Sequence, residues 1–175
     1  MRVSLLAIVT CVACGDLVVV DDTGLIKSEI CDEVIDTSPP VGPDCLMGTL
    51  SCGDTVTGST SGGSEIWNSD FHDEAFCFVT DGSFEGAERI WEFIQPAESN
   101  ATVKVEESCG NWGLSVVGWH DEDWCPNVGA EIGRCEGTNL NNQVEFFTQS
   151  EKRWLIGMDS RDGGEVKFRI SVSCD

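Results

Sequence analysis

The sequence predicts an all-β fold: an antiparallel β-sandwich, braced by disulfides and carried behind an N-terminal signal and tether. Three observations carry this expectation. Short apolar segments recur between turn residues, the last of them alternates with period two, and single cysteines are scattered along the whole chain.

From about Leu50 the segments follow in order. Thr55–Thr60 is the first candidate strand and Ala75–Thr80 the second. Arg89–Ile94 places Trp91 and Phe93 two residues apart, on one face of a strand. Ala101–Glu106 alternates Val103 and Val105 with Lys104 and Glu106, whereas Leu114–Trp119 is apolar enough to be covered on both faces. Val144–Thr148 and Arg153–Met158 come next. In the final segment Val166, Phe168, Ile170 and Val172 alternate strictly with Lys167, Arg169, Ser171 and Ser173, the pattern of a half-buried strand. No stretch sustains a helical stripe. Eight short strands joined by turns fit a sandwich, with a barrel as the alternative.

The 175 residues suit one domain with some tail, and 41% hydrophobic content is enough for a sizeable core. Thirty-one Asp and Glu against 10 Lys and Arg give a net charge of −21. That charge repels phosphate backbones and anionic headgroups, which excludes nucleic acid as a partner; it suits solubility, divalent cations or a basic partner.

The N-terminus reads as an export signal. Met1-Arg2 precedes the uncharged run Val3–Thr10, too short to span a bilayer but suited to a signal's apolar region. Ala13 before Cys14 resembles the bacterial lipobox, with Cys11 standing at the usual leucine position. Residues 1–13 are therefore assigned to a lipoprotein signal peptide and Cys14 to the lipid, anchoring the protein to a membrane of the cell envelope or surface. Residues 14–49, with the proline-stiffened Thr37–Pro43 stretch, are assigned to a tether, and residues 50–175 to the sandwich.

Ten cysteines beside only two histidines, without paired Cys-x-x-Cys knuckles, argue against zinc and for disulfides in an oxidising compartment. Setting aside Cys11 and Cys14 leaves Cys31, Cys45, Cys52, Cys77, Cys109, Cys125, Cys135 and Cys174, an even number that fits four bridges. Nearness favours Cys125–Cys135 and Cys31–Cys45, leaving Cys52–Cys77 and Cys109–Cys174, although sequence alone does not fix the connectivity.

Cys52-Gly53-Asp54-Thr55-Val56-Thr57-Gly58-Ser59-Thr60, then Gly86–Phe93, then Trp154–Asp159 with Gly163-Gly164 and the alternating last strand, resemble in their order the bacterial pre-peptidase C-terminal domains in lipoprotein form. The resemblance covers residues 50–174. Trp91 and Trp154 stand where tyrosines are usual, and Ser160 where glycine is. It implies a jelly-roll-like sandwich, with roles in binding, secretion or calcium ligation, and the expectation is a freestanding surface domain without a peptidase.

Calcium takes six to eight oxygen ligands, so the acid-rich loops with Asp121 and Asp123, and with Asp159 and Asp162, are the places for it; solvated loop acids are the competing reading. Adjacent His72-Asp73-Glu74 and His120-Asp121 point to opposite faces if on strands, and Gly58-Ser59-Thr60-Ser61-Gly62 has threonine where a nucleophile elbow needs serine. No catalytic residues are assigned. Of six tryptophans, Trp112 and Trp124 lie in polar loops beside cysteines, where a rigid indole can stack on a sugar or anchor an interface, or simply fold over a disulfide. The expected function is a noncatalytic surface lipoprotein that binds glycan or protein through these loops. A structural envelope protein without a ligand and an unrecognised hydrolase are the alternatives.

Overall fold

Strand β9 (Lys167–Cys174) shows how the sequence pattern becomes structure. Phe168, Ile170 and Val172 are buried while Lys167, Arg169 and Ser171 face outward. The computed structural model describes residues 28–41, 45–75, 77 and 83–175; residues 1–13, assigned from sequence to a signal peptide, and Cys14 lie outside the described residues. The strands are β1 (Leu46–Leu50), β2 (Thr55–Ser59), β3 (Glu88–Gln95), β4 (Ser99–Cys109), β5 (Trp112–Gly118), β6 (Arg134–Thr138), β7 (Gln143–Thr148), β8 (Lys152–Ser160) and β9.

They form a β-sandwich. One sheet has five strands in the order β1-β3-β8-β5-β6, antiparallel except that β1 runs parallel to β3; the other has the order β2-β9-β4-β7. Between them lies the main core, with Trp91, Phe93, Leu114, Val116, Trp154, Ile156 and Met158 from the first sheet and Val103, Val105, Phe146, Phe168 and Ile170 from the second.

The five-stranded sheet has a second covered face. Ile90, Val117 and Leu155 point away from the main core into another cluster, with Trp67, Phe71, Ala75 and Trp119. This explains why β5 and β8 read as nearly continuous apolar runs. The cover includes a helix, α1 (Ser69–Ala75), where the sequence suggests a strand from Ala75; residues 76 and 78–80 lie outside the described residues. Trp67, Phe71 and Ala75 recur every four residues, the helical spacing, and Asn68 accepts a hydrogen bond from the Phe71 N–H (3.1 Å) as an N-cap does. Trp67 stacks on Phe71 (5.1 Å) and lies over Gly157, where a Cβ would come within 2.3 Å of the indole. Glycine is needed there because the ring takes the side chain's place.

All four bridges differ from the near-neighbour pairing. They are Cys31–Cys109, Cys45–Cys125, Cys52–Cys174 and Cys77–Cys135, spanning 78, 80, 122 and 58 residues. Cysteines close in sequence sit in different layers of the fold, so bridging joins layers. Two bridges fasten the outer cover, through Cys45–Cys125 and Cys77–Cys135, and Cys52–Cys174 closes the β1–β2 turn onto the end of β9. Closing loops this long stabilises the chain by on the order of 4 kcal/mol for one bridge.

Residues 28–41, assigned to the tether from sequence, run against the sandwich as a strap. Ile30 is fully buried, Cys31 is bridged to the end of β4, and Lys167 Nζ donates to the carbonyls of Cys31 (3.1 Å) and Glu33 (2.6 Å). Arg89, almost wholly buried, donates to the carbonyls of Ser38, Ser59 and Ser61 and so ties strap and β2 to β3. Leu46–Leu50, also placed in or beside the tether, pairs with β3 as β1.

Candidate functional site

Two polar arrangements stand out, one sealed and one open. The sealed one lies beneath α1. Glu88 and Asp159 are register partners on β3 and β8, so their side chains lie side by side on the outer face of the sheet. His72 of α1 comes down on them, its Nε2 3.0 Å from Asp159 Oδ2. Glu88 accepts hydrogen bonds from the Ser64 hydroxyl (2.7 Å) and the Ile66 N–H (2.9 Å).

Burial dominates this cluster. It lowers the His72 pKa to about 3, despite a contact with the Trp67 backbone that works the other way. It raises Asp159 to about 9, with the neighbouring charge of Glu88 pushing in the same direction. Glu88 is also raised by burial, against the pull of its hydrogen-bond donors. At neutral pH the His72–Asp159 contact is therefore a hydrogen bond within a pair of no net charge. His72 is 2% exposed and both acids 0%, so the arrangement fixes α1 to the sheet and offers no group to a substrate.

The open site is the loop of residues 119–133. Four tryptophans, Trp67, Trp91, Trp119 and Trp154, are buried, and Trp112 is half-buried against the main core. Trp124 is 37% exposed. It is also held firmly. Its Nε1 donates to Asp121 Oδ2 (2.6 Å), its ring meets Trp119 edge-on at 4.8 Å, and its carbonyl accepts from Trp119 Nε1 (2.9 Å). The next residue is bridged to Cys45. Two further ties reach the α1 layer: Trp67 Nε1 donates to the Pro126 carbonyl (3.0 Å), and Glu74 accepts from the Gly129 N–H (2.6 Å).

Along this loop runs an open cleft of about 580 Å³, walled by Trp119, His120 and Glu122, by Glu131, and by Glu151, Lys152 and Arg153 of the β8 entrance. Arg153 is committed within the protein, to Glu92 and to the carbonyls of Trp119 (3.3 Å) and Asp121 (2.7 Å). Lys152 lies 4.4 Å from the centre of the Trp154 ring, and burial with nearby Arg134 lowers its pKa.

No family model matches the sequence, and no curated protein matches it significantly. Among solved structures the chain is similar to PliG of Aeromonas hydrophila, a periplasmic inhibitor of g-type lysozyme. The identity is 13% and the TM-score 0.44, over 79% of this chain and all of that one. It is also similar to the pre-peptidase C-terminal domain of a Bacillus anthracis collagenase, at 13% identity and a TM-score of 0.39, over 75% of this chain and all of that domain.

The structure separates residues that the sequence grouped. Trp112 pairs with Ser160 at one end of β5, while Gly118 at the other end leads into the Trp124 loop, roughly 20 Å away at strand rise. The two indoles do not share a surface. The four acids considered for calcium divide in the same way. Asp121 and Asp123 are in the Trp124 loop, where Asp121 accepts from the Asp123 N–H (2.9 Å) as well as from Trp124. Asp162 accepts from the Gly164 N–H (3.1 Å), and Asp159 is the buried acid facing His72. Among the described residues no group of three or more metal-ligating side chains gathers. A carboxyl held protonated by burial is a poor ligand for a hard cation.

Proposed function

We propose that this chain is a noncatalytic binding module of the cell envelope, lipid-anchored through Cys14, that engages a glycan or protein with Trp124 and its loop. The observation that carries the reading is the state of Trp124 among the six tryptophans: solvent-facing, yet immobilised by Asp121, Trp119 and the Cys45–Cys125 bridge. An aromatic surface ordered before binding loses little entropy on contact, which is what makes such residues dominate interfaces. The placement of the histidines supports binding over catalysis. His72 is sealed, and His120 rests against Trp119 (5.1 Å) with no hydrogen-bonded partner among the described residues to set it up as a base.

Trp124 also supplies the assay. Titrating the oxidised protein with glycan and protein libraries should change tryptophan emission for a true ligand, and Trp124→Ala should weaken that ligand at least tenfold while far-UV dichroism stays unchanged. A ligand whose affinity is indifferent to Trp124→Ala overturns this assignment of the surface. The anchor is tested separately, by intact mass of protein from host membranes: a diacylglyceryl group on Cys14 is the expected result, and a chain beginning at an unmodified Met1 refutes it.

A further inference from the structure

The Trp124 surface has a charge as well as an aromatic centre. Glu122, Asp123, Glu131 and Glu151 are exposed around the loop and cleft, and their carboxylates have no ion-pair or hydrogen-bond partner among the described residues. The cations that could answer them are engaged elsewhere: Arg153 with Glu92 and two carbonyls, Lys152 over Trp154, Arg134 with Glu136. Val128, on the same loop, is 44% exposed, so the apolar contact area extends beyond one ring. The indole N–H of Trp124 is already given to Asp121, which leaves its π-face rather than its polar edge for a partner.

Resting on the binding reading above, we propose that the occupant of this surface is a protein with a basic contact face, its Lys or Arg side chains meeting the rim acids and covering the Trp124 ring. Charge complementarity selects this class over a neutral glycan. A neutral sugar can donate hydroxyls to a carboxylate but is not attracted by the net charge of four uncompensated carboxylates or of a chain at −21, whereas a basic protein is drawn in by both. The electron-rich face of an indole adds a contact that favours a cation. The exposed patch beside an open cleft also suits a protein surface better than an enclosed small-molecule ligand.

The test uses the full oxidised chain on a biosensor. The probes are two basic folded proteins, cytochrome c and ribonuclease A, the acidic protein ovalbumin, and neutral cello- and chito-oligosaccharides. Three variants are compared with the parent: Trp124→Ala; a rim variant with Glu122→Gln, Asp123→Asn, Glu131→Gln and Glu151→Gln; and a control with Glu65→Gln, Glu85→Gln, Asp162→Asn and Asp175→Asn. The control removes as much charge from exposed positions outside the loop. The expected result is binding of the basic proteins that falls about tenfold or more in the rim variant and in Trp124→Ala, changes less than threefold in the control, and weakens as salt rises. Equal loss in rim and control variants means diffuse attraction to an acidic protein and overturns the proposal. So does a failure of both basic proteins to bind. Trp124-dependent binding of an oligosaccharide with no response to the basic proteins also overturns it, while leaving the binding-module reading standing.

Discussion

The buried pair beneath α1 makes a prediction about alkaline pH. Asp159 carries a folded-state pKa of about 9 against an ordinary 3.8, so between those values the folded protein holds a proton that the unfolded chain has released. Stability from this group is complete at low pH and falls as pH rises, at about 1.4 kcal/mol per unit. His72 works in the opposite sense over part of the range. Its folded pKa of about 3 lies below the ordinary 6.5, so the unfolded chain binds the extra proton there, and stability rises with pH across that window. Below pH 6.5 the two slopes oppose each other. Above it the Asp159 slope stands alone or is reinforced by Glu88, whose pKa is also raised. From pH 6.5 to 9 the loss should approach about 3 kcal/mol, or roughly 10 °C in melting temperature for a domain of this size. Tyrosine adds nothing, since the chain has none, and the eight described cysteines are bridged. Asp159→Asn keeps the shape and a hydrogen-bonding group toward His72 but has no proton to lose. Guanidinium unfolding of the oxidised protein, followed by tryptophan emission from pH 5 to 9, should show the parent losing stability above pH 6.5 and the variant losing markedly less. Parallel curves for the two proteins would refute the reasoning.

Three further outcomes follow from the packing. Gly157→Ala should destabilise the protein by about 1–3 kcal/mol in denaturant unfolding, because the new methyl meets the Trp67 ring. Replacing both Cys45 and Cys125 by alanine should cost on the order of 4 kcal/mol and make the Trp124 loop the first site of limited proteolysis, with the main core still protected. Arg89→Met should cost about 3 kcal/mol, since the Ser38, Ser59 and Ser61 carbonyls lose their shared donor, and hydrogen exchange should quicken in residues 36–41 before any β-strand.

Period-two alternation made β9 and the centre of β4 readable, because each buries one face and leaves the other wet. β5 was readable as a covered strand and β8 only as a strand, and nothing local says what covers them. The answer, Trp67 and α1, is written in a three-member spacing of four residues too short to register as a helix. β1 and β6 are short edge strands without clear alternation; their pairing is decided by neighbours distant in sequence. The disulfide pattern escaped for a related reason. Proximity along the chain is a poor guide when consecutive segments are dealt to different layers, as Cys125 in the outer cover and Cys135 on β6 are. The polar, cysteine-flanked setting of Trp124 left open whether its indole faces solvent or folds over a disulfide; its 37% exposure is set by Asp121 and Trp119, which only the folded loop places against it. The His72–Asp159–Glu88 cluster was not legible, since its members come from three segments that only the fold brings together.

The strap has a mechanical meaning. Tension transmitted through the residues before Ser28 reaches Cys31 and passes through its bridge to Cys109, on a strand flanked by β9 on one side and β7 on the other. Force therefore enters at the end of β4 that is paired with β9, where Cys109 faces Lys167, and it bypasses the edge strand β1. At the opposite end of the chain Cys174 is locked to Cys52. A domain pulled from its N-terminal side would thus yield by breaking a covalent bond or shearing β4 from β9, and the Trp124 loop, stapled through Cys125 to the residue before β1, would keep its shape under load.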